Sequence, residues 1–474
     1  MSHILRRKTF RWLTFVLLGL VLFCCGGPTI LFFFSKNTAR RSLEEKLEQL
    51  SAKGIPIDDA SITEFYHKLS STENADKWIS IIDTLSSKSF GDQCENLPIV
   101  GNNQNPIPQH DQPWADQAAV EQLMSEYADT MKQLLDVAQD NGSVRYPIQF
   151  QSYNTLLPYT QNTRTAARML RLEAMLAVRS GDAEREFRAI NAMIGCSLSI
   201  HGEPSLVSQL VSVATHNMAI NCLQSAINGN RLSAEQLAIL RTRLAPFSDI
   251  NHVYTVGLMG EIGSAIPAFG DPSILMSPQM TKIGKFMAES GLADRAARDY
   301  AIRMEEALEI PTDNLQNFVA DCEAWESQMT NGGMIDQLQG AMSQQYSPAL
   351  SAVAAAIVRL KMLNDIATLA IATRQYEFAK RELPKQLQDL ESQGIDLKQF
   401  QCVDGNFPLY LIAENATASA SAKDKPGRAI LWSFNPQKTA QNPKPGLSPT
   451  PPEKSTSDPA SGETELNWWR WDFE

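Results

Sequence analysis

The feature that most constrains this chain is an apolar run near its N-terminus, Trp12–Phe34. Its only ionisable side chains are those of Cys24 and Cys25. A helix rises about 1.5 Å per residue, so about 20 apolar residues are enough to cross a lipid bilayer. Basic residues with no acidic one among them precede the run, which favours a cytoplasmic N-terminus: Arg6, Arg7, Lys8 and Arg11. We therefore predict a single transmembrane helix.

Three other kinds of targeting segment also contain an apolar run. A cleaved signal peptide needs small residues at the cut, whereas this run ends with three phenylalanines before Ser35. A lipoprotein needs a small residue before the modified cysteine, but Phe23 precedes Cys24, and a pilin leader needs a glycine where this chain has Thr9. We favour an uncleaved anchor within residues 1–35, with a cleaved signal peptide as the alternative. The rest of the chain is then periplasmic, at the inner membrane of a bacterium.

The charge of the chain differs between its start and the rest. Residues 1–41 contain seven of the 42 basic residues and none of the 53 acidic ones, which leaves 35 basic against 53 acidic residues and a net charge of −18 beyond them. This balance argues against nucleic acid as a partner, because binding phosphates needs an excess of Lys and Arg. With 474 residues, 43% of them hydrophobic, the chain can bury a sizeable core in two or more domains.

Residues 36–345 have the pattern of an α-helical body. Apolar residues at helical spacing predict helices at 42–53, 62–69, 75–85, 114–139 and 163–179. Three more helices are expected after Asp182, Ser205 and Ser233 as N-caps, and the Pro-rich segment 86–113 is expected to be a loop. Because the turns are short, we expect antiparallel helical hairpins in a bundle or an irregular solenoid. No regular repeat of about 34 residues is present.

The methionines concentrate in one part of this body. Residues 259–342 contain eight of the sixteen, and Pro267 is expected to interrupt the helical pattern there. These side chains either fill the core or form an adaptable apolar surface for a partner.

The C-terminal quarter changes character. A long helix is predicted from Ser347 as N-cap, with Pro348 at its first position, to about Lys380. Two strands are predicted at 407–413 and 428–434, so residues 346–436 form a small α+β module. Residues 437–474 are a Pro/Ser/Thr-rich linker followed by alternating aromatic and charged residues. That aromatic tail is either an edge strand or a peptide that binds another protein by strand addition.

This module resembles the globular half of the type II secretion major pseudopilins. In that family a long helix leads to a P-x-x-L-x-x-L turn and then to two strands. The matching residues are Pro384, Leu387 and Leu390, then 404–410 and 430–434. The resemblance implies a pseudopilin-like fold over about ninety residues. It implies no calcium site, since Asn435-Pro436-Gln437 stand where the family has an Asp-rich loop.

The whole layout is also similar to uncharacterised families of single-span bacterial envelope proteins. The shared features are Gly54-Ile55-Pro56 soon after the anchor and Asn74-Ala75 before the helix with Trp78. A helical body and a pseudopilin-like end complete the likeness. This resemblance implies an architecture and no particular activity.

Reactive side chains form no recognisable catalytic motif. His201, Glu203 and His216 come closest to a metal-binding cluster, but His216 follows His201 by about four helical turns, roughly 18 Å. We therefore predict no catalytic, cofactor-binding or metal-binding residue. The cysteines outside the anchor lack metal spacing, and at most some of them pair in disulfides: Cys94, Cys196, Cys222, Cys322 and Cys402.

These observations lead to a functional hypothesis without an assigned activity. The chain is expected to be a membrane-tethered extracytoplasmic scaffold or interaction protein of the cell envelope, bound to the lipid bilayer through Trp12–Phe34 and to a protein partner through its exported surface. One alternative is a component or relative of a type II secretion or pilus-like machine. The other is an envelope hydrolase with a site assembled from scattered residues.

Overall fold

The computed structural model describes residues 27–105, 107–108, 112–140, 142–271, 290–328, 348–400, 409–412, 429–432 and 471–473. Fourteen α-helices account for most of these described residues, and the strands are few and short. The expected mainly-α class is therefore confirmed.

Helix α1 (Gly27–Ala52) begins within the apolar run, earlier than the predicted start at Ser42. It ends at Ala52, within one residue of the predicted end, and Gly54 follows with a φ of +78°, the left-handed conformation that glycine adopts easily. Residues 12–26 of the run lie outside the described part of the chain. Within that part, no helix has the length and hydrophobicity to cross a bilayer. The transmembrane helix stays a prediction.

Five helices follow α1: α2 (Asp59–Leu69), α3 (Ala75–Leu85), α4 (Lys88–Cys94), α5 (Gln117–Glu126) and α6 (Ala128–Val137). The prediction of a loop over residues 86–113 is wrong at α4. Ser87 caps this helix by accepting a hydrogen bond from Phe90 N, and burial of Phe90 and Cys94 stabilises it. The single helix predicted at 114–139 is two helices, separated at Tyr127, whose ring packs edge-on against Phe90 at 5.1 Å.

Next comes the clearest helical block: α7 (Pro158–Ser180), α8 (Ala183–Ser199), α9 (Leu206–Asn228) and α10 (Ala234–Leu244). The three predicted caps are present. Asp182 accepts from Arg185 N, Ser205 accepts from Val207 N, and Ser233 forms a capping box with Gln236. Helix α7 begins five residues before the predicted Thr163, because proline fits the first position of a helix. Consecutive helices pack together as α7 on α8 and α8 on α9.

A 3₁₀ helix (Ala245–Ser248) leads to α11 (Ile250–Gly270), α12 (Leu292–Leu308), α13 (Leu315–Gln328) and α14 (Leu350–Lys380). Pro267 lies inside α11 and does not interrupt it. In the last turn its missing N–H removes one hydrogen bond without breaking the helix. The residue at the N-cap of α14 is Ala349, and the predicted cap Ser347 lies outside the described residues.

Helix α14 is the centre of the core. It packs against α9, α10, α11 and α13. Because it is buried on several sides, apolar residues occupy nearly all of its faces. Leu363, Ile366 and Ala370, for example, are at most 1% exposed. Helix α1 packs along α12. Leu50 of α1 is fully buried there, and Lys46 and Lys53 both donate to Glu305 of α12.

After α14 the described residues form two 3₁₀ helices (Leu387–Gln393 and Leu397–Gln399) and three strands, β1 (Leu409–Ile412), β2 (Ala429–Trp432) and β3 (Trp471–Phe473). The strands are antiparallel in the order β1-β2-β3, with Ala429 opposite both Ile412 and Phe473. β1 and β2 lie within the two segments predicted as strands, and β3 lies in the aromatic tail. A pseudopilin-like module at this end stays a prediction.

Candidate functional site

The structure brings His201 and His216 onto the same aromatic ring. His201 precedes α9 and His216 lies within it, and the 3₁₀ helix places Phe247 between them. The ring of Phe247 lies 5.1 Å from that of His201 and 3.8 Å from that of His216. The two imidazoles therefore lie closer than the roughly 18 Å expected from helical rise, because Phe247 of the 3₁₀ helix contacts both.

Both imidazoles are deeply buried and therefore neutral. Burial, together with His252 stacked at 4.6 Å, lowers the pKa of His201 to about 3. Burial also lowers the pKa of His216 to about 3. Nε2 of His216 lies 3.1 Å from Oδ1 of Asn364, which joins α9 to α14. Among the described residues, no three His, Cys, Asp or Glu side chains converge as a metal ion requires.

Glu203 is the carboxyl of this cluster, and its pKa is raised. It is 1% exposed, and its Oε2 accepts hydrogen bonds from the hydroxyls of Thr160 and Ser208, each at 2.6 Å. Burial raises its pKa to about 7, although both hydrogen bonds favour the charged form. A raised carboxyl pKa is typical of a general acid, but such an acid must reach a substrate proton. In this conformation Glu203 joins α7 to α9 inside the core.

The other polar candidates have structural roles in the described part of the chain. Glu305 accepts hydrogen bonds from two lysines of α1, and Asp58 caps α2. Cys94, Cys196, Cys222 and Cys322 form no disulfide. His3, His110 and Cys402 lie outside the described residues.

An open groove of about 510 Å³ lies between the α5–α6 pair and the α7–α8 hairpin; we refer to it as the α5–α8 groove. Its floor consists of three buried apolar side chains, Met124, Met131 and Leu176, and the half-buried Leu135 forms one wall. Its rim carries charged side chains, namely Glu121, Lys132, Glu173, Arg179, Arg185 and Arg188.

The three arginines of the rim are held by specific contacts. Arg185 makes two hydrogen bonds to Glu173, at 2.5 and 2.8 Å. Arg179 donates to two main-chain carbonyls of residues 108 and 112, and its guanidinium lies 5.2 Å from the Trp114 ring. Arg188 reaches Asp136 at 3.4 Å, where both side chains are exposed. The groove thus combines an apolar floor with charged walls in which Arg185 and Arg188 each face a carboxylate.

The sequence prediction missed this groove. A signal was present, since Met131 and Leu135 are spaced i, i+4 and Met124 precedes them by two turns, which is typical of one helical face. The pattern did not show that α7 and α8 leave that face partly uncovered. Only the packing of two hairpins decides this.

Comparison with protein-family models, with curated proteins and with solved structures finds no match for this chain. The resemblance to type II secretion pseudopilins and to single-span envelope proteins therefore stays a prediction.

Proposed function

We propose that this chain is a membrane-tethered, extracytoplasmic scaffold or interaction protein of the bacterial cell envelope. The observation that supports this proposal is the course of α1, which begins inside Trp12–Phe34 and continues without a break onto the helical body. Leu50 is buried against the body, and Lys46 and Lys53 bind Glu305. A continuous helix fixes the orientation of the body relative to its tether, which a flexible linker does not do.

Protease accessibility tests this topology. In spheroplasts that carry the full chain, we expect external protease to degrade the helical body and to leave a short membrane-bound fragment. Intact cells, in which the outer membrane excludes the protease, are the control. A body that is protected in spheroplasts and degraded only after lysis contradicts the proposal. In-cell crosslinking with mass spectrometry then tests the scaffold function, which predicts reproducible crosslinks from the body to another envelope protein.

A second candidate function is a component of a type II secretion or pilus-like machine. Its support is the order of elements at the C-terminal end, where the long α14 is followed by Leu387 and Leu390, both buried, and then by three antiparallel strands. This function predicts co-purification of the full chain with secretion-system subunits. Crosslinks that all lead to envelope proteins outside such a machine contradict it.

A further inference from the structure

Three arginines of α7 lie on one side of that helix without a carboxylate partner. Arg164, Arg168 and Arg171 are spaced i, i+4 and i+7, which places them in a row along the helix. Arg164 is exposed, and the other two are half-buried. Within the part of the chain that the structure describes, none of the three guanidinium groups forms an ion pair or a hydrogen bond. The chain itself therefore leaves the charge of this row uncompensated.

The pKa of Arg168 is consistent with the lack of a nearby anion. Burial, and then the charge of Arg164, both lower this pKa. A neighbouring carboxylate acts in the opposite direction, as Glu173 does where it raises the pKa of Arg185. Like charges at i and i+4 destabilise a helix, so the row costs stability unless an anion binds it.

Helix α9 borders the row and supplies no carboxylate to it. The two helices pack together, and near their starts Thr160 Oγ1 lies 3.3 Å from Ser208 Oγ. Further along, burial raises the pKa of Cys222 to about 11, and the nearby charge of Arg171 opposes this rise. The helices are therefore parallel, with α9 beside the whole row. Residues 206–228 of α9 include no Asp, Glu, Lys or Arg.

The side of α9 next to the row presents apolar side chains to solvent. Val207 is 49% exposed, and three more apolar residues that follow it at i+3, i+7 and i+11 are half-buried, namely Leu210, Ala214 and Met218. This spacing places all four on one side of the helix. We refer to these four residues and the three arginines as the α7–α9 face. Unlike the floor of the α5–α8 groove, its apolar side chains are accessible to a partner.

We propose that the α7–α9 face binds an acidic segment of a partner protein. The inference rests on the proposed scaffold function and names the class of partner. The carboxylates of that segment would pair with the arginines, and its apolar residues would contact Val207, Leu210 and Met218. Guanidinium groups bind carboxylates in a bidentate geometry, and complementary charges select a partner by repelling segments of the wrong sign.

The apolar side chains favour a protein over a nucleic acid or another long polyanion. A phosphate backbone would use the arginines alone, whereas a peptide segment also contacts the apolar residues of α9. The chain beyond residue 41 has a net charge of −18, so it would repel a polyanion that extends past the row. The row spans about 10 Å along α7, a length that a short acidic segment covers.

The test uses the full chain in detergent micelles and two fluorescent synthetic peptides of about 14 residues, or about four helical turns. In one peptide glutamate recurs every third or fourth residue, to match the spacing of the arginines, and leucines lie between. The second peptide has glutamine in place of glutamate. Fluorescence anisotropy should show that the glutamate peptide binds at least about tenfold more tightly. Its binding should weaken as salt is raised.

Two variants and one control locate the site. Arg164→Glu reverses a charge at an exposed position of the row, and Val207→Asp places a carboxylate among the apolar side chains. Each should weaken binding of the glutamate peptide about tenfold or more. Arg359→Glu, at an exposed position on α14, makes the same charge change on another helix and should leave binding unchanged. Circular dichroism of each variant confirms that it is folded.

Several results overturn the inference. Equal binding of the two peptides, or binding unaffected by Arg164→Glu, shows that the face does not select an acidic segment. Displacement of the glutamate peptide by a short DNA oligonucleotide shows a site for polyanions in general. Displacement by a peptide of residues 453–465, which contain four acidic residues and one lysine, shows that the face takes the tail of this chain instead of a partner.

The outcome is separable from that of the proposed function. Because binding is measured in micelles, it does not depend on membrane topology. Failure of the glutamate peptide to bind, together with a body that external protease degrades in spheroplasts, refutes this inference alone. Binding of the peptide, together with a body protected in spheroplasts, refutes the proposed topology alone.

Discussion

Replacing Glu203 with glutamine should change how the stability of this protein depends on pH. Burial raises the pKa of Glu203 to about 7 from an ordinary value of 4.5. Between these values the folded state holds a proton that the unfolded state has lost, so stability falls as pH rises from about 4.5 to about 7 and is constant above that. Each pKa unit corresponds to about 1.4 kcal/mol, which gives a loss of about 3 kcal/mol in the wild-type protein.

Glutamine cannot ionise, so Glu203→Gln removes this loss. Its amide oxygen can still accept the hydrogen bonds from Thr160 and Ser208 that Oε2 accepts now. The cost of burying the amide is the same at every pH. The difference in unfolding free energy between variant and wild type should therefore grow by about 3 kcal/mol, in favour of the variant, from about pH 4.5 to about pH 8.

Urea unfolding of the full chain in detergent micelles, followed by circular dichroism at several pH values, measures this difference. Other titrating groups, including the buried Glu261, whose pKa burial also raises, contribute equally to both proteins and cancel. Glu306→Gln, which makes the same change at an exposed position on α12, is the matched control. A constant difference for Glu203→Gln would show that the pKa of Glu203 is not raised in the folded state and would refute the reasoning.

Three further substitutions test the packing. Trp78 is 2% exposed, so Trp78→Ala leaves a cavity and should lower the unfolding free energy by about 3–5 kcal/mol, measured by urea titration. Lys77→Ala, at an exposed position, is the control and should not show this loss. Gly195→Ala places a Cβ 1.9 Å from the Ala138 carbonyl oxygen, so we expect the unfolding free energy to fall by about 1–3 kcal/mol in the same titration. An unchanged unfolding free energy would contradict the close approach of α6 and α8. Glu305→Gln removes the carboxylate that binds both Lys46 and Lys53, and leaves Lys53 only Glu309 at 3.8 Å. The change should cost about 1 kcal/mol, seen as faster hydrogen exchange in residues 42–52, and unchanged exchange would show that the ion pairs to Glu305 do not hold α1.

Local signals in the sequence were sufficient for most of the helical body. Helix α3 has the predicted bounds, and the predicted caps of α8, α9 and α10 are present. A cap needs only the few residues around it, because its hydrogen bonds join groups two or three positions apart. The prediction of a loop at α4 was wrong because this helix depends on contacts outside its own sequence. That segment lies in a Pro-rich region and is stabilised by burying Phe90 and Cys94, which depends on distant parts of the chain.

The fold and the candidate sites therefore include features that the sequence determines and features that only packing determines. The sequence by itself determined the mainly helical class, the positions of most helices and the separation of basic start from acidic body, since periodicity, capping and composition are properties of neighbouring residues. Only the tertiary structure placed His201, His216 and Phe247 together, raised the pKa of Glu203 and left the α5–α8 groove open. Each of these depends on which helices pack side by side, and that is set by contacts between residues far apart in the chain, which no local pattern records.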